Sequence, residues 1–252
     1  MSTYTQLVNN LNKLELTKMA EALPRYMDKA VAENQSVTDI LNALTTDEIN
    51  FREERARQIN LKIANFPFLK TIDDFDFSYQ PSINKSQIKD LLTLRFIDEN
   101  ENILFIGSSG VGKTHLAVSI GMECSSKHYS TYFIHFNTLM SKFKAAAKEG
   151  RLESMVKHYS KYKILIIDEI GYLPIDKDSA HGFFQLVANR YEKRPTILTT
   201  NQLLSRWGDV FGDYTLANAI IDRLVHHSQI VKITGQSYRI KGKRLFDDEE
   251  TT

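Results

Sequence analysis

One cysteine, Cys124, stands in 252 residues, so no disulfide can form within the chain. A lone thiol of this kind fits a buried residue in a reducing compartment. Charge of one sign is also missing, since 32 Lys and Arg against 31 Asp and Glu leave a net charge of +1. No overall field draws such a chain to nucleic acid or to a membrane, and any basic surface must be local. No apolar run approaches the ~20 residues that a membrane-spanning helix needs. The opening residues, MSTYTQLVNNLNKLEL, lack the basic start and apolar stretch of a signal peptide. The expectation is a cytoplasmic protein with no membrane partner. There is no internal repeat and no low-complexity tract. What is present is 42% hydrophobic residues, enough for one sizeable domain with its own core and a smaller one beside it.

Residues 1–66 carry helical spacing. Leu7, Leu11 and Leu14, then Met19, Leu23 and Met27, recur every three or four positions. A third helix is predicted to open at Ser36 or Thr38 and to run through a densely charged middle (Arg52, Glu53, Glu54, Arg55, Arg57), which reads as a solvated face. Phe66-Pro67 is expected to end it. Residues 67–85 have no clear period and read as a linker. From Ser86 the pattern changes. One helix, SQIKDLLTLRFID, precedes the strand NILFIG, and further apolar runs (STYFIHF, KILIIDE, PTILTTN, QIVKIT) alternate with amphipathic stretches. Strands alternating with helices predict an α/β domain over 86–246, a parallel sheet between helices. Residues 247–252 form an acidic tail.

The stretch ILFIGSSGVGKTHLAVSI joins a strand to a helix through Gly107, Ser108, Ser109, Gly110, Val111, Gly112, Lys113, Thr114 and His115. It completes the spacing G-x-x-x-x-G-K-T. Glycines let several backbone N–H groups turn toward one phosphate, and the following helix adds its dipole. Lys113 is then placed for the β- and γ-phosphates and Thr114 for Mg²⁺. Such a loop needs a carboxylate on a second strand. KILIIDEIGY supplies Asp168, a candidate for holding Mg²⁺, and Glu169, a candidate for orienting or deprotonating water. Glu169 favours NTP hydrolysis over small-molecule phosphoryl transfer. Asn201, at the end of TILTTN, is a candidate for sensing the γ-phosphate. Two late arginines, Arg223 in AIIDRLVHH and Arg239 in GQSYRIKGK, could add positive charge. By spacing alone, Arg223 beside Asp222 reads better as a surface ion pair.

These residues together, in GSSGVGKTHLA, LIIDEIGYLP, RYEKRPTILTTN, WGDVFGD, IIDRLVHH and GQSYR, resemble the IstB-type helper ATPases of insertion-sequence transposons. Those are AAA+ P-loop proteins related to DnaC-type helicase loaders. The resemblance covers roughly residues 70–242, with a similar helical layout ahead of it. It implies an ATP-binding, Mg²⁺-dependent AAA+ domain. Lys113 and Thr114 would belong to Walker A, Asp168 and Glu169 to Walker B, and Asn201 to sensor 1. Arg223 would be the finger that reaches a neighbour's ATP, and Arg239 the sensor 2 of its own subunit. It further implies a homo-oligomer on duplex DNA and a transposase partner. The alternatives are a helicase loader on single-stranded DNA and a scaffold gated by ATP binding without turnover.

A locally basic region offers a DNA surface, with Lys142, Phe143, Lys144, Lys148 and Arg151 as candidates. A second basic group, Lys232, Arg239, Lys241, Lys243 and Arg244, precedes the acidic tail. His226 and His227 are adjacent, so within a helix their side chains should diverge and make a poor metal pair. Trp207 reads as a packing anchor. Phe75 and Phe77 read equally as adenine neighbours or as core.

Overall fold

The computed structural model describes residues 1–171 and 174–240. Lys241, Lys243, Arg244 and the acidic tail lie outside the described residues. The chain divides into two compact units, with the division after Ile59.

The first unit is helical: α1 (Thr3–Lys13), α2 (Thr17–Glu33) and α3 (Val37–Ile63). Its core is Leu11, Met19, Ala22, Leu23 and Leu44; of the residues at helical spacing Leu11, Met19 and Leu23 are buried in it, while Leu7, Leu14 and Met27 are exposed. Ser36 opens α3, its Oγ accepting from the Asp39 amide while the Asp39 carboxylate accepts from the Ser36 amide. The first turn of α2 is capped by a residue far along the chain. The Glu48 carboxylate, 4% exposed, accepts from the Met19 amide at 3.0 Å and from Arg52 Nε at 2.8 Å. Burial works against the Glu48 charge, but Arg52 and the Met19 and Lys18 amides outweigh it and hold the carboxyl below its ordinary value. A depressed carboxyl stabilises the fold above its unfolded pKa of 4.5, and that support is lost as pH falls through the lower folded value. Glu48→Gln should therefore cost the helical unit about 1–2 kcal/mol at pH 7. It should also flatten the loss of stability below pH ~4.5. Denaturant melts at pH 7 and pH 4 check both; an unchanged pH dependence would refute the assignment.

The second unit begins on the last turn of α3. The helix stops at Ile63, ahead of Pro67, because Asn65 takes a left-handed φ of 58° and the chain joins a sheet edge. The Phe133 amide donates to the Ala64 carbonyl at 2.8 Å, and Asn65 Nδ2 donates to the Phe133 carbonyl at 3.0 Å. The segment expected to be an aperiodic linker is ordered. It carries a short 3-10 turn, Ile72–Asp74, and packs Phe68, Ile72, Phe75 and Phe77 against the core. The single helix expected over SQIKDLLTLRFID is two, α4 (Lys85–Leu91) and α5 (Arg95–Asp98). Thr93 Oγ1 closes the first by donating to the Asp90 carbonyl, and Leu94 turns left-handed with φ 65°.

Then come β1 (Asn102–Gly107), α6 (Lys113–Ser126), β2 (Thr131–His135), α7 (Phe136–Lys148), α8 (Leu152–Ser160) and β3 (Ile164–Ile170). They are followed by α9 (Lys177–Arg190), β4 (Thr196–Thr200), α10 (Trp207–Phe211), α11 (Tyr214–His226) and β5 (Ser228–Ile233). The five strands pair parallel in the order β2-β3-β4-β1-β5. Both sheet faces are covered, and the period of two sorts the strand residues between them. Leu104, Leu165, Ile167 and Leu198 face one core with α7, α9 and α11, while Ile103, Phe105, Ile166 and Ile197 face the other with α6. Every strand runs its C-terminal end to the same edge, where open α/β sheets bind ligands. β4 lies between β1 and β3, so that edge brings three strand tips together.

Candidate functional site

The turn after β1 opens a cavity of about 290 Å³. Its walls include the loop from Ser109 to His115, with Glu169, Asn201, Tyr238 and Arg239. Two glycines make the loop possible. Gly110 has φ 78° and Gly112 φ 99°, and a side chain on Gly112 would run into the Phe75 ring. The Tyr238 amide donates to the Gly110 carbonyl at 2.9 Å, so the segment after β5 leans on the loop and brings Arg239 to the cavity.

Lys113 is 7% exposed, and its ammonium donates to the carbonyls of Gly107 (2.8 Å) and Ser108 (2.7 Å). Desolvation pulls its pKa below the ordinary value; Asp168 and Glu169 act the other way, and Arg239 adds to the lowering. Asp168, at the tip of β3, is 1% exposed. Its Oδ1 accepts from Thr114 Oγ1 at 2.9 Å and from Thr199 Oγ1 at 2.6 Å, and its Oδ2 faces His135 Nδ1 at 3.3 Å. A buried carboxylate beside a hydroxyl at a helix start is a hard-oxygen site that fits Mg²⁺. His135, Asp168 and Glu169 bring one ligand atom each within 4.8 Å of one another. Glu169 follows in a left-handed conformation, φ 62°, at a register shift between Ile167 and Ile170. Its amide donates to Thr199 Oγ1 at 2.9 Å, which ties the bulge to β4. A non-glycine residue held in this region stores strain and turns the side chain away from the strand's normal alternation. Here it presents Glu169 to the cavity instead of to a sheet face.

Lys113, Thr114, Glu169, Asn201 and Arg239 thus meet at one cavity, with Asp168 beneath it bonded to Thr114. Arg223 is not among the lining residues. Its guanidinium stands over the Phe184 ring, 4.8 Å from the centroid. The ion pair with Asp222 that spacing favoured is replaced by this stacking.

Several lining residues carried no sequence signal. Lys70, Asp74, Asp76 and Gln80 come from the stretch without a period, and no motif marks them. Phe75 and Phe77 pack against each other and the core, and Phe75 also lines the cavity. Thr199 had one usable signal, a polar residue inside a wholly buried strand, 0% exposed. His115 binds the Thr71 carbonyl at 2.9 Å and packs edge-on to Phe68 and Phe75, which anchors the same stretch.

The basic candidates separate. Lys142, Lys144, Lys148 and Arg151 are exposed on α7 and the turn after it. Lys142 donates to the Tyr159 hydroxyl, Lys144 approaches Asp176 at 3.9 Å, and Arg151 pairs with Glu149. Phe143 is a correction. It is 0% exposed, packed between α7 and the α8–α9 layer, and cannot reach a sugar or base without leaving the core. The two histidines are another. α11 ends at His226, and His227 leaves the helix with φ −119° and ψ 81°, so the rings lie 4.2 Å apart instead of diverging. Both turn to Glu192, His227 Nε2 at 3.2 Å and His226 Nδ1 at 4.0 Å. Trp207 is buried as a packing anchor, 1% exposed.

A P-loop after β1, an acidic pair on β3 and a polar tip on the strand between them are the arrangement of an AAA+ nucleotide-binding domain. Solved structures share the fold: DnaI, with a TM-score of 0.55 and 20% identity over 65% of this chain and 90% of that one. AMPPCP-bound DnaA from Aquifex aeolicus gives a TM-score of 0.52 and 19% identity over 65% of this chain and 49% of that one. The family of IstB-like ATP binding proteins matches residues 9–245, and this chain belongs to it. An insertion sequence IS232 protein of Bacillus thuringiensis subsp. berliner, named for ATP binding, is 52% identical over 95% of this chain and 96% of its own length. The corresponding insertion sequence IS21 protein of Pseudomonas aeruginosa is 37% identical over 93% and 88%. Among the described residues no helix is long and apolar enough to cross a membrane.

Proposed function

We propose that this chain is an ATPase of an insertion sequence that assembles with ATP on duplex target DNA and there recruits or activates a transposase. The observation that carries the reading is the separation of two arginines. Arg239 lines the cavity together with Lys113, Glu169 and Asn201, whereas Arg223 stands apart on α11. A triphosphate in the loop would meet the backbone N–H groups of Ser109 to Thr114, the Lys113 ammonium and Arg239. Thr114 and Asp168 would hold Mg²⁺, which supplies charge against the phosphate oxygens when bound. Glu169 accepts the proton of the attacking water or orients it, Asn201 positions it, and Thr199 and His135 keep Asp168 in place. Arg223 then acts on a neighbour, so a lone subunit turns over slowly and an oligomer completes each site.

DNA binding rests on the exposed cations Lys142, Lys144, Lys148 and Arg151, which would contact phosphate without reading sequence. Transposase recruitment rests on family membership. The helical unit has apolar side chains free for partner or subunit contacts, among them Leu14 (67% exposed), Val31 (88%) and Val37 (73%). The domain organisation proposed is this helical unit, the cavity-lining stretch that follows it, and the AAA+ domain.

Measuring particle mass with and without ATP and duplex DNA tests the reading. A nucleotide-dependent rise in mass is expected, stronger with duplex than with single strands and weakened by salt. Monomers under every condition would overturn it, and a rise on single strands alone would favour a helicase loader.

A further inference from the structure

Arg223 is held by a specific seat. Its guanidinium stands over the Phe184 ring, 4.8 Å from the centroid, and Nη1 donates to the Ala219 carbonyl one turn back at 2.9 Å. Phe184 is itself partly buried and packed against the core of the α/β unit, so the ring is supported from behind. The contact belongs to a row. Phe184 and Tyr191 are seven residues apart along α9 and its cap, two helical turns, while Arg223 and His226 are three apart along α11 and His227 follows as its cap. The two stripes meet in order: Arg223 on Phe184, the His226 ring nitrogen on the Tyr191 hydroxyl at 2.8 Å, and His227 on Glu192 at 3.2 Å. The end of α11 is thereby pinned to the end of α9 just beyond Arg223.

We propose that Phe184 is the positioning residue for Arg223, its ring holding the guanidinium in place for the nucleotide of a second copy of this chain. Stacking uses the face of the guanidinium, whereas a phosphate is recognised by its N–H edge, so the two contacts do not compete. An arginine without a seat must lose its rotamer freedom at the moment of reaction, and one already stacked has lost part of it beforehand. The proposal rests on the reading of Arg223 as the residue supplied to a neighbour.

Mixed oligomers test it, assayed with ATP, Mg²⁺ and duplex DNA. A Lys113→Ala chain has a damaged nucleotide site but an intact Arg223; an Arg223→Ala chain has the reverse. Mixing them should restore turnover that neither has alone. Adding Phe184→Leu to the Lys113→Ala chain should cut that restored kcat by about fivefold, the worth of one partly desolvated cation–π contact. KM for ATP and the assembled mass should stay as they were, and Phe184→Tyr should recover most of the rate because the ring face is kept. Leucine keeps the apolar bulk, and a matching melting temperature for the Leu and Tyr chains excludes a folding defect. Full complementation by the Phe184→Leu donor would overturn the seat while leaving Arg223's role standing. An Arg223→Ala chain with parental turnover on DNA would overturn the reading beneath both.

Discussion

Replacing Glu169 by Gln should lower steady-state ATP turnover by about a hundred- to ten-thousandfold, the usual loss when a positioned general base is removed. ATP should stay bound. The substitution keeps the shape of the side chain, leaves Lys113, Thr114 and Asp168 untouched, and removes one negative charge from the cavity that would hold the triphosphate. The backbone at this position is fixed by the Glu169 amide on Thr199 Oγ1, so the Gln amide should occupy the same place. The expected product is a chain that binds ATP and DNA and accumulates as an oligomer unable to release. Phosphate release, filter-retained ATP and particle mass read the three parts separately. Turnover within threefold of the parent would remove Glu169 from the chemistry. A variant that still activates its partner through repeated rounds would make hydrolysis dispensable and the chain a scaffold gated by ATP binding.

The second large effect is on stability, at a residue that does not line the cavity. Arg190 ends α9 and is 2% exposed. Its guanidinium donates to Thr196 Oγ1 at 2.9 Å, the Tyr162 carbonyl at 2.7 Å, the Lys163 carbonyl at 3.3 Å and the Pro195 carbonyl. One side chain thus joins the end of α9, the approach to β3 and the start of β4. Burial, with the Arg194 charge beside it, pushes the guanidinium down to about 9, which leaves it protonated at pH 7. The fork geometry suits this fan of carbonyls, and an ammonium cannot copy it. Arg190→Met would fill the volume and leave the carbonyls unpaired in a dry site. The expected cost is about 3–5 kcal/mol. For a unit of this size that lowers the melting temperature by roughly 6–20 °C. Arg190→Lys should fall between the two. Thermal and denaturant unfolding of the three chains measure it; a Met variant within about 1 kcal/mol of the parent would refute the role.

What could be read beforehand follows from how local each feature is. The loop Gly107–Thr114 is one contiguous stretch whose glycine spacing is dictated by backbone geometry, so it is legible without a fold. The strands after it are legible because a sheet buried on both faces demands unbroken apolar runs such as Ile164–Ile167. Leu94 escaped because the Leu/Ile pattern of the α4–α5 stretch continues through the break, and only the side-chain cap from Thr93 reveals it. Phe143 was misplaced because a lysine-rich helix has two faces, and its phase decides which one carries the aromatic.

The sequence by itself determined the phosphate-binding loop, the acidic pair and the parallel α/β architecture, because each is written in contiguous residues of fixed spacing or period; the family entered through the resemblance of its motifs. Only the tertiary structure decided which distant groups serve that loop. Thr199 and His135 on Asp168, Lys70 to Gln80 along the cavity wall, Arg239 inside and Arg223 outside on Phe184 are all products of strand order and helix phase. These place residues 30 to 150 positions apart in contact, and no local pattern encodes such pairings.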